Sequence, residues 1–159
     1  MDNPLIAEIH EGWKIYQGHL VRVVTPLTDE QLALQISPHL RSVMTIAAHI
    51  IVARVWWLHY VLGEGSEELR QMADWDEEGS MHTAVELVAG LEATWEVLES
   101  GLMRWSTADL NQAFAYEGRY GKSDRTRKWV LWHLLEHDLH HGGELSFVLG
   151  AHGLPAIDL

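Results

Sequence analysis

Four stretches of this 159-residue chain repeat apolar side chains every three or four positions, and that period commits them to amphipathic helices. From residue 4 to 24 the stripe runs through Ile6, Ile9, Trp13, Tyr16, Leu20 and Val23. Asn3 ahead of Pro4 reads as an N-cap with proline in the first helical position, and Thr25-Pro26 reads as a stop. From 42 to 62, Ile46, His49, Ala53, Trp56 and Tyr60 align before Gly63-Glu64-Gly65. From 82 to 105 the seam is Leu87, Leu91, Trp95, Leu98, Leu102 and Trp105. From about 124 to 149 it is Val130, Leu134, His137, His141, Leu145 and Val148. Helices of roughly 20–26 residues are ~30–39 Å long at about 1.5 Å per residue, the size of a four-helix bundle. The expected class is all-α, a four-helix bundle with no evident strand, in one domain spanning residues 1–159. The connections 25–41, 63–81 and 106–123 exceed the ~2–8 residues that join neighbours in a plain bundle, so crossovers or functional loops are expected. Thr28-Asp29-Glu30-Gln31-Leu32 and Thr107-Ala108-Asp109-Leu110 read as short capped turns, and the acidic 63–79 stretch as mobile.

A hydrophobic fraction of 47% is enough for a sizeable core, which excludes a disordered or fibrous chain. Eleven Lys and Arg against 23 Asp and Glu give a formal charge of −12, so nothing draws the chain to nucleic acid or an anionic membrane. The absence of cysteine removes thiolate metal sites, iron–sulfur clusters, covalent haem and cysteine nucleophiles. Residues 1–7 carry no basic region or long apolar run, and His49, Arg54 and His59 interrupt the most apolar segment, so a cytoplasmic protein is expected. Eleven His and eight Trp are out of proportion in so short a chain, and function is sought among them.

The densest chemistry lies in the run from Trp132 to Glu144, WHLLEHDLHHGGE. Residues four apart on a helix stack one turn above each other, ~5–6 Å between Cβ atoms, so His137 and His141 can offer two imidazoles to one metal ion. Leaving two neutral rings unsatisfied on an inward seam costs ~1–3 kcal/mol each, a cost that a metal removes. A third ligand must come from another helix, and His49 shares the inward stripe with Ile46, Ala53 and Trp56. His10, His19, His39, His59 and His82 are read instead as core or pocket residues.

Beyond these local patterns the order of segments resembles the DinB/YfiT-like superfamily. The resemblance rests on the first amphipathic helix, Pro26-Leu27-Thr28-Asp29-Glu30-Gln31-Leu32, the stretch Arg41 to Ile50 (RSVMTIAAHI) with Trp56-Trp57, and the late HDLHHGGE from His137 to Glu144. It covers nearly the whole chain. It implies a bundle of unusual topology, often a homodimer, with one divalent ion per chain, nickel or zinc, held by His49, His137 and His141. It also implies a metal-dependent enzyme, a thiol-dependent S-transferase or related hydrolase, acting on a small-molecule substrate with a low-molecular-weight thiol. Many members continue the last ligand as His-Arg-Gly-Gln, whereas here Gly142-Gly143-Glu144 follows His141. The missing arginine removes a bidentate anion partner, and Glu144 stands as a candidate base or as a support for a ligand.

Other readings remain beside this one. His133-Leu134-Leu135-Glu136-His137 matches H-x-x-E-H, a zinc-hydrolase signature that uses His133 and Glu136 in place of His141. A bundle that binds metal or a small ligand without turnover fits the same residues. Trp56, Trp57, Tyr60, Trp129 and Trp132 lie near the candidate ligands and are expected to fill core or line a pocket, with His133 and Glu136 beside them. Arg125, Arg127 and Lys128 are the local basic group and could receive an anionic substrate.

Overall fold

The computed structural model describes residues 4–118 and 121–159. The chain is mostly helical. Its order is α1 (Pro4–Val24), α2 (Asp29–Leu32), α3 (Val43–Val55), a π-helical continuation (Trp56–Val61), a 3-10 turn (Glu67–Met72), α4 (Ala84–Arg104), α5 (Thr107–Asn111), β1 (Ala113–Gly118), β2 (Gly121–Thr126) and α6 (Arg127–Ala151). The four long helices expected from periodicity are α1, α3 with its continuation, α4 and α6. The Asn3 cap falls outside the described residues. Ser42, Thr83 and Thr126 each accept a backbone N–H from three residues on, so the starts of α3, α4 and α6 are set by side-chain capping.

Three expectations are corrected. The 106–123 connection is not strand-free: β1 and β2 form an antiparallel hairpin with Ala113 opposite Thr126 and Gly118 opposite Gly121. Consequently α6 begins at Arg127 and not near 124. Strand residues such as Lys122, Ser123 and Asp124 carry no apolar alternation, and a two-stranded ribbon stabilised by its own backbone pairing leaves little periodic trace. Within the 63–79 stretch Leu69 and Met72 are buried in the core, while its other residues are exposed or part-buried. His39 is exposed, because it lies in the loop before α3 and on no apolar stripe.

α3 packs on α6 and α4, and α1 packs on α4. The core divides into two apolar clusters, one around Leu20, Ile46, Ile51, Leu91 and Leu145, the other around Trp13, Leu58, Trp95, Leu98 and Leu134. On each long helix the changeover falls at or near a residue of one buried polar network, Gln17, Arg54, Thr94 and Asp138. Residues 43–61 are long and apolar enough to cross a membrane by length and composition. Yet Arg54 within them is fully buried and ion-paired to Asp138, which makes this segment the central helix of the fold.

Gly142 sits mid-helix in α6 for a packing reason. A Cβ there would lie 2.1 Å from the Tyr16 hydroxyl, so only glycine lets α1 approach α6 at this level. The hydroxyl donates to the carbonyl of Leu139 at 3.4 Å, and burial raises the Tyr16 pKa to about 12, with the Asp138 charge adding to it.

Candidate metal centre

His137 and His141 are one turn apart on α6, and α3 brings His49 against both. Ring centroids are 4.4 Å apart for His137 and His141, 5.0 Å for His49 and His137, and 4.7 Å for His49 and His141. One donor nitrogen from each ring can be chosen so that all three lie within 4.8 Å of one another. His141 is buried, while His49 and His137 are part-buried, so the cluster sits at the edge of the α3–α6 interface rather than inside it.

Two of the rings are held from behind by carboxylates. Asp76 Oδ2 lies 2.6 Å from His49 Nδ1, and Glu144 Oε2 lies 2.8 Å from His141 Nδ1. A ring that donates Nδ1–H to a carboxylate keeps its Nε2 lone pair free for a ligand bond. His137 differs: its Nδ1 is buried and has no hydrogen-bond partner among the described residues. Burial, then the neighbouring His141 and His49, lowers its pKa to about 3, and burial lowers that of His141 against the opposing pull of Glu144. His137 and His141 are thus disfavoured as cations, and with the unsatisfied buried nitrogen of His137 they suit a divalent ion.

The remaining candidates are placed as follows. Glu144 acts on His141 and has Arg41 Nη1 at 3.9 Å. His133 is 6.1 Å from His137 between ring centroids, faces the exposed Glu136 at 3.1 Å, and is stacked on Trp129 at 5.1 Å. It therefore stands outside the three-ring cluster. Trp57 is buried against Tyr116, Trp129 and His133, whereas Trp56 and Tyr60 pair with each other at 5.4 Å and are half-exposed. Trp132 is 61% exposed, because position 132 lies off the inward stripe of α6. A further group, His140 with His141 and Glu144, also has donors within 4.8 Å of one another, although His140 is exposed.

Asp76 was not legible as a site residue. It lies 27 positions from His49 in an acidic segment where nothing distinguishes it from Asp74, Glu77 or Glu78. The network one residue further along α6 was missed as well. Asp138 accepts from Trp13 Nε1 at 2.7 Å and from Arg54 Nη2 at 2.7 Å, while Arg54 also donates to Gln17 Oε1 and the Leu91 carbonyl. The only trace in sequence was a charge interrupting an apolar run.

Fold and site together define a mostly helical protein with a cluster of three imidazoles between two long helices. A family model for the DinB superfamily matches residues 15–145, and the chain belongs to that superfamily. Two solved structures share the fold. A DinB-like protein from Bacillus cereus ATCC 10987 has a TM-score of 0.72 at 20% identity, covering 94% of this chain and 93% of that one. A protein described as a DinB family member from Exiguobacterium sibiricum 255-15 has a TM-score of 0.57 at 20% identity, covering 94% and 95%. A comparison with functionally curated proteins gives no match.

Proposed function

We propose that the four long helices serve as a bundle that holds one divalent ion, nickel or zinc, on His49, His137 and His141, and that the protein is a thiol-dependent transferase. The observation that carries this reading is the convergence of three imidazoles from two helices with an orphaned nitrogen on His137. When bound, such an ion supplies Lewis acidity and makes a thiol easier to deprotonate. The chain's own residues supply the rest. Asp76 and Glu144 fix the His49 and His141 rings, so neither must reorganise when a ligand arrives. Glu144 is 30% exposed at its side chain and could take a proton from a thiol once it lets go of His141. Trp56 and Tyr60, half-exposed and further along the helix that carries His49, offer an apolar contact surface.

Protein loaded with excess nickel or zinc and then desalted is expected to retain about one ion per chain by elemental analysis. Retention of none overturns the site. Loaded protein is then offered thiols and a panel of electrophiles: thiol consumption that His49→Ala abolishes supports the transferase, and metal retention with no consumption points instead to a binding module without turnover.

A further inference from the structure

The three basic residues ahead of α6 are not equivalent. Arg127 donates to Gln112 Oε1 at 2.5 Å and Lys128 to Asn111 Oδ1 at 2.5 Å, so both are occupied in tying the α5 end to α6. The Arg125 side chain makes no hydrogen bond or ion pair among the described residues, in a chain of −12 formal charge where carboxylates are plentiful. Its guanidinium lies over the Trp129 ring at 4.3 Å, and its Nε is shielded from solvent without a partner. A guanidinium over an indole face, with no carboxylate partner, has N–H groups available for a carboxylate or phosphate.

From that cation one row of rings runs down α6 to the metal-binding cluster. Trp129 is stacked on His133 at 5.1 Å, and His133 is 6.1 Å from His137. Trp129, His133 and His137 are part-buried, so the row has an accessible face. Glu136, the acidic group beside it, is engaged by His133 Nδ1. Eight residues separate Trp129 from His137, about 12 Å along the helix axis.

We propose that Arg125 is a specificity-determining residue that receives the anionic end of a substrate whose thiol reaches the three-histidine centre. This rests on the metal-and-thiol reading above. It narrows the substrate to an elongated thiol with its negative charge about 12 Å from the sulfur and a middle section able to lie on flat rings. Thiols that are short, or neutral at the far end, leave the Arg125 contact unmade.

The test is a molecular ruler applied to zinc-loaded protein, read as binding by tryptophan fluorescence with metal content measured alongside. The long pair is 11-mercaptoundecanoate and 11-mercapto-1-undecanol, and the short pair is 6-mercaptohexanoate and 6-mercapto-1-hexanol. The long acid is expected to bind roughly tenfold tighter than the long alcohol, as a charge-assisted contact gives, and the short pair to bind alike. Arg125→Gln is expected to bring the long pair within about twofold while the alcohol keeps its wild-type affinity, which also reports that the variant is folded. Equal binding of the long pair by wild type, or a preference that survives in Arg125→Gln, overturns the assignment to Arg125 and leaves the metal-and-thiol reading standing. Failure of all four thiols to bind protein that holds zinc overturns that reading and this inference with it.

Discussion

Two polar clusters bridge α3 and α6, one residue apart on α6, and they are built on opposite principles. Asp138 and Arg54 are fully buried, and the network around them is closed: the carboxylate takes N–H groups from Trp13 and Arg54, and the guanidinium reaches Gln17, Thr94 and the Leu91 carbonyl. His137 is its immediate neighbour, yet the three-histidine cluster is left open, with part-exposed rings and one buried nitrogen unmatched. The closed cluster has nothing left to offer a ligand and fixes where α1, α3, α4 and α6 meet. The open one is unfavourable as it stands, and its deficit is what a bound ion would relieve. In this interface polar residues signal function by being incompletely satisfied, not by being polar or buried.

The largest effect expected from breaking the closed cluster follows directly. Asp138→Ala leaves the Arg54 charge and the Trp13 N–H without their acceptor, and urea denaturation of metal-free protein should show a loss of ~3–5 kcal/mol. Replacing both partners with apolar residues, Arg54→Met with Asp138→Leu, should recover most of that loss. A cost below about 1 kcal/mol for Asp138→Ala would mean the network is no tighter than an exposed pair.

The open cluster should behave in the reverse sense. Metal-free His137→Leu removes an unsatisfied group and should cost little, whereas a saturating ion should stabilise wild type by about 2.7 kcal/mol at a hundredfold excess over Kd and leave His137→Leu unmoved. The pH dependence carries the same contrast. Unfolded, His137 titrates near 6.5, but folded it stays neutral down to about 3. Between those values the unfolded chain binds the extra proton, so metal-free protein loses stability as pH falls from 6.5 toward 3, and His137→Leu should flatten that decline. An unchanged slope in the variant would show that His137 is not the group responsible.

The unequal legibility of the two clusters has a physical origin. Spacing of four on one helix is a local property, so His137 and His141 announce themselves, and His49 follows because its stripe must face the same core. Long amphipathic helices are visible for the same reason. The closed network is made of contacts between residues 37 to 125 positions apart, and no local period encodes a Trp13–Asp138 bond. The π-helical turn after Val55 and the 113–126 hairpin are likewise decided by tertiary packing and backbone pairing. Gly142 stands out in sequence only as the residue that follows His141 in place of an arginine, and the close approach of Tyr16 gives it a packing reason.

Smaller effects sharpen the comparison by testing the carboxylates that support the open cluster. Asp76→Asn and Glu144→Gln each keep the side chain's shape but weaken acceptance from a histidine Nδ1–H. Each should reduce zinc affinity by ~10–100-fold in calorimetric titration, without the large loss of metal-free stability expected for Asp138→Ala. If Glu144→Gln leaves affinity intact while thiol turnover falls, Glu144 serves as a base and not as a support for His141.

The smallest effect is expected at His133, where two overlapping motifs diverge. In H-x-x-E-H it would be a ligand equal to His137, and its loss would abolish tight binding. Its ring instead stacks on Trp129 and engages Glu136, its centroid lies 6.1 Å from that of His137, and it makes no hydrogen bond to any of the three clustered rings. A residue that neither binds the ion nor holds a ligand should matter less than Asp76 does. His133→Ala is therefore expected to weaken zinc binding by less than ~10-fold, while His141→Ala abolishes it. The opposite ranking, with binding lost in His133→Ala and kept in His141→Ala, would move the centre one turn toward the hairpin. That shift would make Glu136 the acidic group next to the ion and break the contrast drawn between an open cluster at His141 and the closed one beside it.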